Sequence, residues 1–111
     1  MFIEVHEDFT KIMKELVKRD IEFKMWTDSF NGNVGINITG KNGNKVDIAQ
    51  YMSPTDKMET DGRYKCVPIG LSVMYKTKLG RKVFDEGNDV DAFLSDIIAF
   101  IGGKANAQCL L

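Results

Sequence analysis

Gly35, Gly40 and Lys41, in the stretch GINITGKN, stand at the spacing of the phosphate-binding loop G-x-x-x-x-G-K-[ST], with Asn42 where the hydroxyl residue belongs. In such a loop backbone N–H groups cradle phosphate oxygens, the lysine meets their charge and the hydroxyl holds Mg²⁺. That chemistry needs a strand before the glycines and, after them, a helix whose N-terminus faces the anion. Here the alternation of Ile36 and Ile38 places a strand inside the motif, and Val46 and Ile48 place another strand after it. The stretch therefore reads as a turn between two strands. A three-residue loop, Lys41-Asn42-Gly43, with Gly43 left-handed, pairs Ile38 with Val46 and Ile36 with Ile48.

Other reactive residues are sparse. His6, the only histidine, has no orienting neighbour marked in the sequence, so it reads as a solvated surface residue. Arg63 and Lys65 flank Cys66 and could depress its thiol pKa, yet a lone cysteine in a strand reads first as a packing residue. One histidine and two distant cysteines, Cys66 and Cys109, do not make a zinc site. Asp85, Glu86, Asp89, Asp91 and Asp96 are too irregular for a calcium loop. Lys76, Lys78, Arg81 and Lys82 form the one basic run, suited to an acidic partner or phosphates, or to guarding a sheet edge. The expectation is a chain without catalytic residues, cofactor or metal.

Composition sets the frame. The chain has 111 residues, 43% apolar and 28% charged, with a formal net charge of -1. Those values suit a globular domain, and no global field favours nucleic acid or an anionic membrane. The cysteines fit free thiols in a reducing compartment. The opening MFIEVHEDF is acidic and amphipathic, unlike a signal peptide, and no apolar run approaches the roughly 18 to 20 residues of a membrane span. The expected location is the cytoplasm.

The elements follow from periodicity. Val5, Phe9, Ile12, Met13, Leu16 and Val17 mark an amphipathic helix over about 5–19. Residues 21–26 alternate as a strand and run into Asn31-Gly32, the strongest short hairpin signal. A two-residue turn there pairs Thr27 with Ile36, Trp26 with Asn37 and Met25 with Ile38. Ser53-Pro54-Thr55-Asp56 reads as a helix start, with Gly62 as a stop, so 54–60 is a short helix or a loop. Tyr64 to Val67 and Leu71 to Tyr75 read as an edge or bulged strand, interrupted by Pro68 and Gly70, and Arg81 to Phe84 pairs back after Leu79-Gly80. Asn88 caps a second helix whose stripe is Val90, Phe93, Leu94, Ile97, Ile98 and Ile101, ended by Gly102-Gly103. The sum is a two-layer α+β domain over 1–103: an N-terminal helix, an antiparallel three-stranded meander, two further strands and a C-terminal helix, with a tail at 104–111.

Alternation leaves Trp26, Phe30 and Tyr51, with Asn37 and Asn33, on the sheet face away from the helices. Aromatic residues on a polar surface suggest a protein-binding face, for self-association or for another protein. Two topological resemblances bear on this. The order helix, three strands, helix resembles that of double-stranded-RNA-binding domains, which implies an RNA-binding module with the basic run as phosphate contacts. That family opens its second helix with lysines, whereas this one opens Asn88-Asp89-Val90-Asp91. With a helix at 54–60 the order instead resembles the small acidic dimeric secretion chaperones, which bind extended partner segments. A small inhibitor or adaptor of viral or mobile-element origin fits the same description. The reading is a non-enzymatic protein-binding module using Trp26, Phe30, Asn37 and Tyr51, with Lys76, Lys78, Arg81 and Lys82 as an accessory patch. RNA binding is the alternative.

Overall fold

The computed structural model describes residues 3–102, so the expected tail at 104–111 and Cys109 lie outside the described residues. In chain order the elements are α1 (Glu7–Lys18), β1 (Lys24–Asp28), β2 (Asn33–Thr39), β3 (Lys45–Met58), β4 (Tyr64–Lys76), β5 (Lys82–Gly87) and α2 (Val90–Gly102). The strands form one antiparallel sheet in sequence order, and the two helices pack on one of its faces. This is the expected two-layer α+β arrangement, with five strands in a single meander. It has neither the α-β-β-β-α order nor the helix-interrupted one, so both topological likenesses end here.

Side-chain alternation builds the core. Val34, Ile36 and Ile38 of β2, Val46 and Ile48 of β3, and Leu71, Val73 and Tyr75 of β4 point to one face. Phe9, Ile12 and Leu16 of α1 and Phe93, Leu94, Ile97 and Ile101 of α2 cover them. Each fully buried aliphatic side chain contributes roughly 1.5–3 kcal/mol. α1 starts two residues later than its apolar pattern suggests, which leaves Val5 outside the helix and exposed; Val17, within α1, is exposed as well. It stops without glycine. Asp20 takes a left-handed conformation (φ 54°), and the N–H groups of Asp20 and Ile21 donate to Val17 and Leu16 at 3.1 and 3.0 Å.

Three hairpins share one turn. In 40–44, 59–63 and 77–81 the first N–H donates to the last carbonyl at 2.7–2.9 Å, with glycine (Gly43, Gly62, Gly80) left-handed at the fourth position. The 40–44 turn and its register, Ile38 to Val46 and Ile36 to Ile48, are as expected.

Four expectations need correction. First, 54–60 is not helical: β3 runs on to Met58 and returns through β4. The Ser-Pro start signal competes with Thr60-Asp61-Gly62, which closes a hairpin, and Pro54 sits opposite Cys66 where the pairing becomes irregular. Second, of the two readings of this segment the bulged strand holds and the edge strand does not: β4 is interior, between β3 and β5. Tyr51 pairs with Gly70 and Met52 with Pro68, so Ile69 is an extra residue, the bulge that accommodates a proline. Third, the β1–β2 loop spans four residues, 29–32. The Asp28 carboxylate accepts from the Asn31 N–H (3.2 Å) and Nδ2 (2.6 Å), which stretches the turn by two residues. Trp26 consequently faces Gly35, not Asn37, and Met25 faces Ile36. A shift of two preserves which face each side chain occupies. Those same Asn31 bonds hold the Asp28 carboxyl below the usual range. Fourth, Asp89 rather than Asn88 caps α2, its Oδ1 accepting from the Ala92 N–H at 3.1 Å.

Candidate functional site

The phosphate-loop-like stretch faces the wrong end of a helix to hold an anion. Asn42 and Asn44 each donate an Nδ2 hydrogen bond, both 2.9 Å, to the carbonyl of Phe100 in the last turn of α2. Helix C-termini leave carbonyls without intrahelical partners, and these two amides serve one of them. Gly40 lies against the backbone of Ile101, where a Cβ would collide with the α2 main chain. Lys41 points to solvent. The turn is an anchor for α2.

His6 is not a solvated surface residue. It occupies the N-cap of α1, where its Nδ1 accepts from the Asp8 N–H at 3.1 Å and lies 3.3 Å from the Asp8 carboxylate. Its own N–H donates to Oε1 of the buried Gln50 at 2.7 Å, and Gln50 Nε2 donates to the Glu4 carbonyl at 2.9 Å. A core-facing amide on β3 thus clamps the chain entering α1. The sequence signal was a glutamine at an apolar position of β3, two residues after Ile48. Cys66 is exposed on the outer part of the β3–β4 hairpin, its Sγ 3.8 Å from the Tyr64 carbonyl. Among the described residues no three His, Cys, Asp or Glu side chains gather as a metal site.

The face opposite the helices holds the predicted aromatic residues in register. One row across the sheet runs Trp26, Gly35, Ala49, Ser72, Glu86, and the next runs Lys24, Asn37, Asp47, Met74, Phe84. On the other side of the Trp26 row, Asn33 and Tyr51 lie toward Gly70. The indole of Trp26 lies directly over Gly35, where a Cβ would clash with the ring. Glycine, alanine and serine across the centre keep the middle of the face low, between exposed Trp26 (37%), Tyr51 (40%) and Phe84 (67%). Asn37 is exposed on the same face. Phe30 lies in the β1–β2 loop at the rim, with the Arg63 guanidinium 4.3 Å from its ring centre.

Phe84 was the residue sequence reading missed. Placing it needs the β4–β5 register, in which Phe84 opposes Met74. The basic residues divide. Lys76 and Lys82 are cross-strand neighbours and continue a row from Lys45, whereas Lys78 and Arg81 lie in the 77–81 turn. Lys24, Lys45, Lys76 and Lys82, with Asn37 and Asp47, line a shallow depression of about 490 Å³ at this end of the face.

No helix among the described residues is long and apolar enough to cross a membrane. No family model matches the chain, and no match is found among curated proteins or solved structures.

Proposed function

We propose that the protein works by binding another protein on the outer face of its sheet, as a non-enzymatic adaptor, inhibitor or chaperone-like module of the cytoplasm. The observation that carries this reading is the exposure of Trp26, which lies over Gly35, and of Tyr51 and Phe84 around a low centre of Ala49 and Ser72, on the face the helices leave open. Rigid aromatic side chains around a low centre supply contact area at little conformational cost, and such residues concentrate binding energy. Phe30 and Asn37 extend the surface, and the Lys45-Lys76-Lys82 row gives one end a positive charge that favours an acidic stretch of partner.

The test is affinity capture from lysate with the full chain, with and without nuclease, beside Tyr51→Ser and Phe84→Ser. Both side chains are exposed, so these variants leave the core intact. A stoichiometric protein partner that resists nuclease and is lost with either variant is the expected result. Capture that vanishes with nuclease, and with Lys76→Glu or Lys82→Glu, would replace this reading with RNA binding.

A further inference from the structure

We propose that β5 is a self-pairing edge, through which two copies of this chain join their sheets antiparallel about Phe84. The open edge of a sheet presents unpaired backbone N–H and C=O groups, and an added strand can satisfy them. Every residue of β5 is exposed, including Val83 (62%) and Phe84 (67%).

The order of side chains along β5 selects a second copy as the occupant. Lys82, Phe84 and Glu86 share the outer face, in register with Lys76, Met74 and Ser72 of β4. Antiparallel pairing centred on Phe84 sets it against the partner's Phe84, and sets Lys82 against the partner's Glu86 and Glu86 against the partner's Lys82. On the helix face Arg81 falls opposite the partner's Gly87 and diagonal to the partner's Asp85. The basic turn of each copy thus meets the acidic end of β5 in the other, and a two-fold axis satisfies both at once. Within one chain Lys82 has a like-charged cross-strand neighbour, Lys76, and among the described residues neither Lys82 nor Glu86 makes a side-chain hydrogen bond or ion pair. The partner's Glu86 would supply the missing counter-charge.

The other edge has the same order of types, Lys24, Trp26 and Asp28, but is not free in the same way. Asp28 spends its carboxylate on Asn31, and Trp26 is folded onto Gly35. The inference shares Phe84 and Lys82 with the proposed protein-binding face, but it is read from the oligomeric state of the isolated chain, whereas loss of capture with Tyr51→Ser reports on the binding face away from this edge.

The experiment is sedimentation equilibrium of the full chain over a range of concentration, with Lys82→Glu, Glu86→Lys, the double exchange and an equimolar mixture of the two single variants. Both side chains are exposed and have no side-chain partner among the described residues, so each variant should keep the far-ultraviolet circular dichroism of the unmodified chain, and each variant that dissociates should unfold in a single cooperative transition. The unmodified chain is expected to be a dimer weakened by salt. Each single reversal creates two like-charge pairs and should raise the dissociation constant roughly tenfold or more. The mixture, and the double exchange, restore two opposite-charge pairs and should return the dimer. A chain monomeric at every concentration overturns the inference. So does a dimer that survives both single reversals, or a mixture that stays monomeric.

Discussion

Tyr75 carries its hydroxyl into the core, where that oxygen finds no hydrogen-bond partner among the described residues. Its ring earns its place by meeting Phe100 edge-on at 5.3 Å. A buried hydroxyl without a partner costs roughly 1–3 kcal/mol, while an aromatic ring of the same shape costs nothing of that kind. Tyr75→Phe is therefore expected to stabilise the fold by about 1 kcal/mol, read as a higher urea midpoint with unchanged slope. The same site predicts an alkaline dependence. Burial, and then the charges of Asp96 and Asp85, push the Tyr75 pKa well above its ordinary value of 10.0. The unfolded chain releases this proton as pH rises through 10.0, while the folded chain still holds it, so stability falls with increasing pH above that value. In Tyr75→Phe that decline should be shallower. An unchanged alkaline limb would show that the hydroxyl titrates alike in the folded and unfolded chain, and a lower midpoint near neutrality would show that it has a partner.

Among the elements, α2 is held at both ends by polar side chains rather than by its apolar stripe alone. Asp89 caps its start, and Asn42 and Asn44 hold the Phe100 carbonyl at its end. Each replacement by alanine also removes an acceptor, Asn42 Oδ1 for the Asn44 N–H at 3.0 Å and Asn44 Oδ1 for the Lys78 N–H at 3.2 Å. Asn42→Ala and Asn44→Ala should then each cost about 1–2 kcal/mol. Hydrogen exchange checks this: amides in the last turn of α2 should lose protection before those at Phe93 and Leu94. These anchors were illegible in the sequence, because a side-chain amide carries no periodic signal and its carbonyl partner is 56 residues away in Asn44. What was legible came from period. The helical recurrence of Phe9, Ile12 and Leu16, and the alternation of Ile36, Ile38, Val46 and Ile48, define faces that burial then enforces. Parity survived even where register failed: Asp28 lengthened the first hairpin by two residues, and Trp26 stayed on the outer face. The helix expected at 54–60 failed for a different reason. Local start signals weighed more than Glu59-Thr60-Asp61-Gly62-Arg63, which repeats the glycine offset of Gly40-Lys41-Asn42-Gly43-Asn44 and closes the same turn. Aromatic residues of the outer face were legible where alternation sufficed, as for Trp26 and Tyr51, and lost where a long-range register was needed, as for Phe84.

At the scale of the whole molecule the shape is uneven, 51 × 27 × 20 Å, because β3 and β4 continue past the helices as a two-stranded arm. Residues 56–66 are all exposed, and none belongs to the core. The arm touches the rest of the sheet through Arg63, whose guanidinium covers the Phe30 ring and donates to the Phe30 carbonyl at 3.5 Å. A segment that buries so little adds little hydrophobic stabilisation, and an exposed cation–π contact is worth only about 0.5–1 kcal/mol. Replacing 56–64 with the sequence Lys-Asn-Gly, which already turns the second hairpin, should therefore leave the fold standing, with a change in unfolding free energy within about 1 kcal/mol. The urea slope should fall only slightly, since few apolar side chains of the arm are hidden in the folded chain. Against the proposed binding face the shortened chain is also informative. Trp26, Tyr51 and Phe84 lie on the sheet, outside the deleted segment, so partner capture should persist. If capture is lost while the unfolding curve is unchanged, the arm itself, with exposed Met58 and Tyr64 near its tip, makes the decisive contacts.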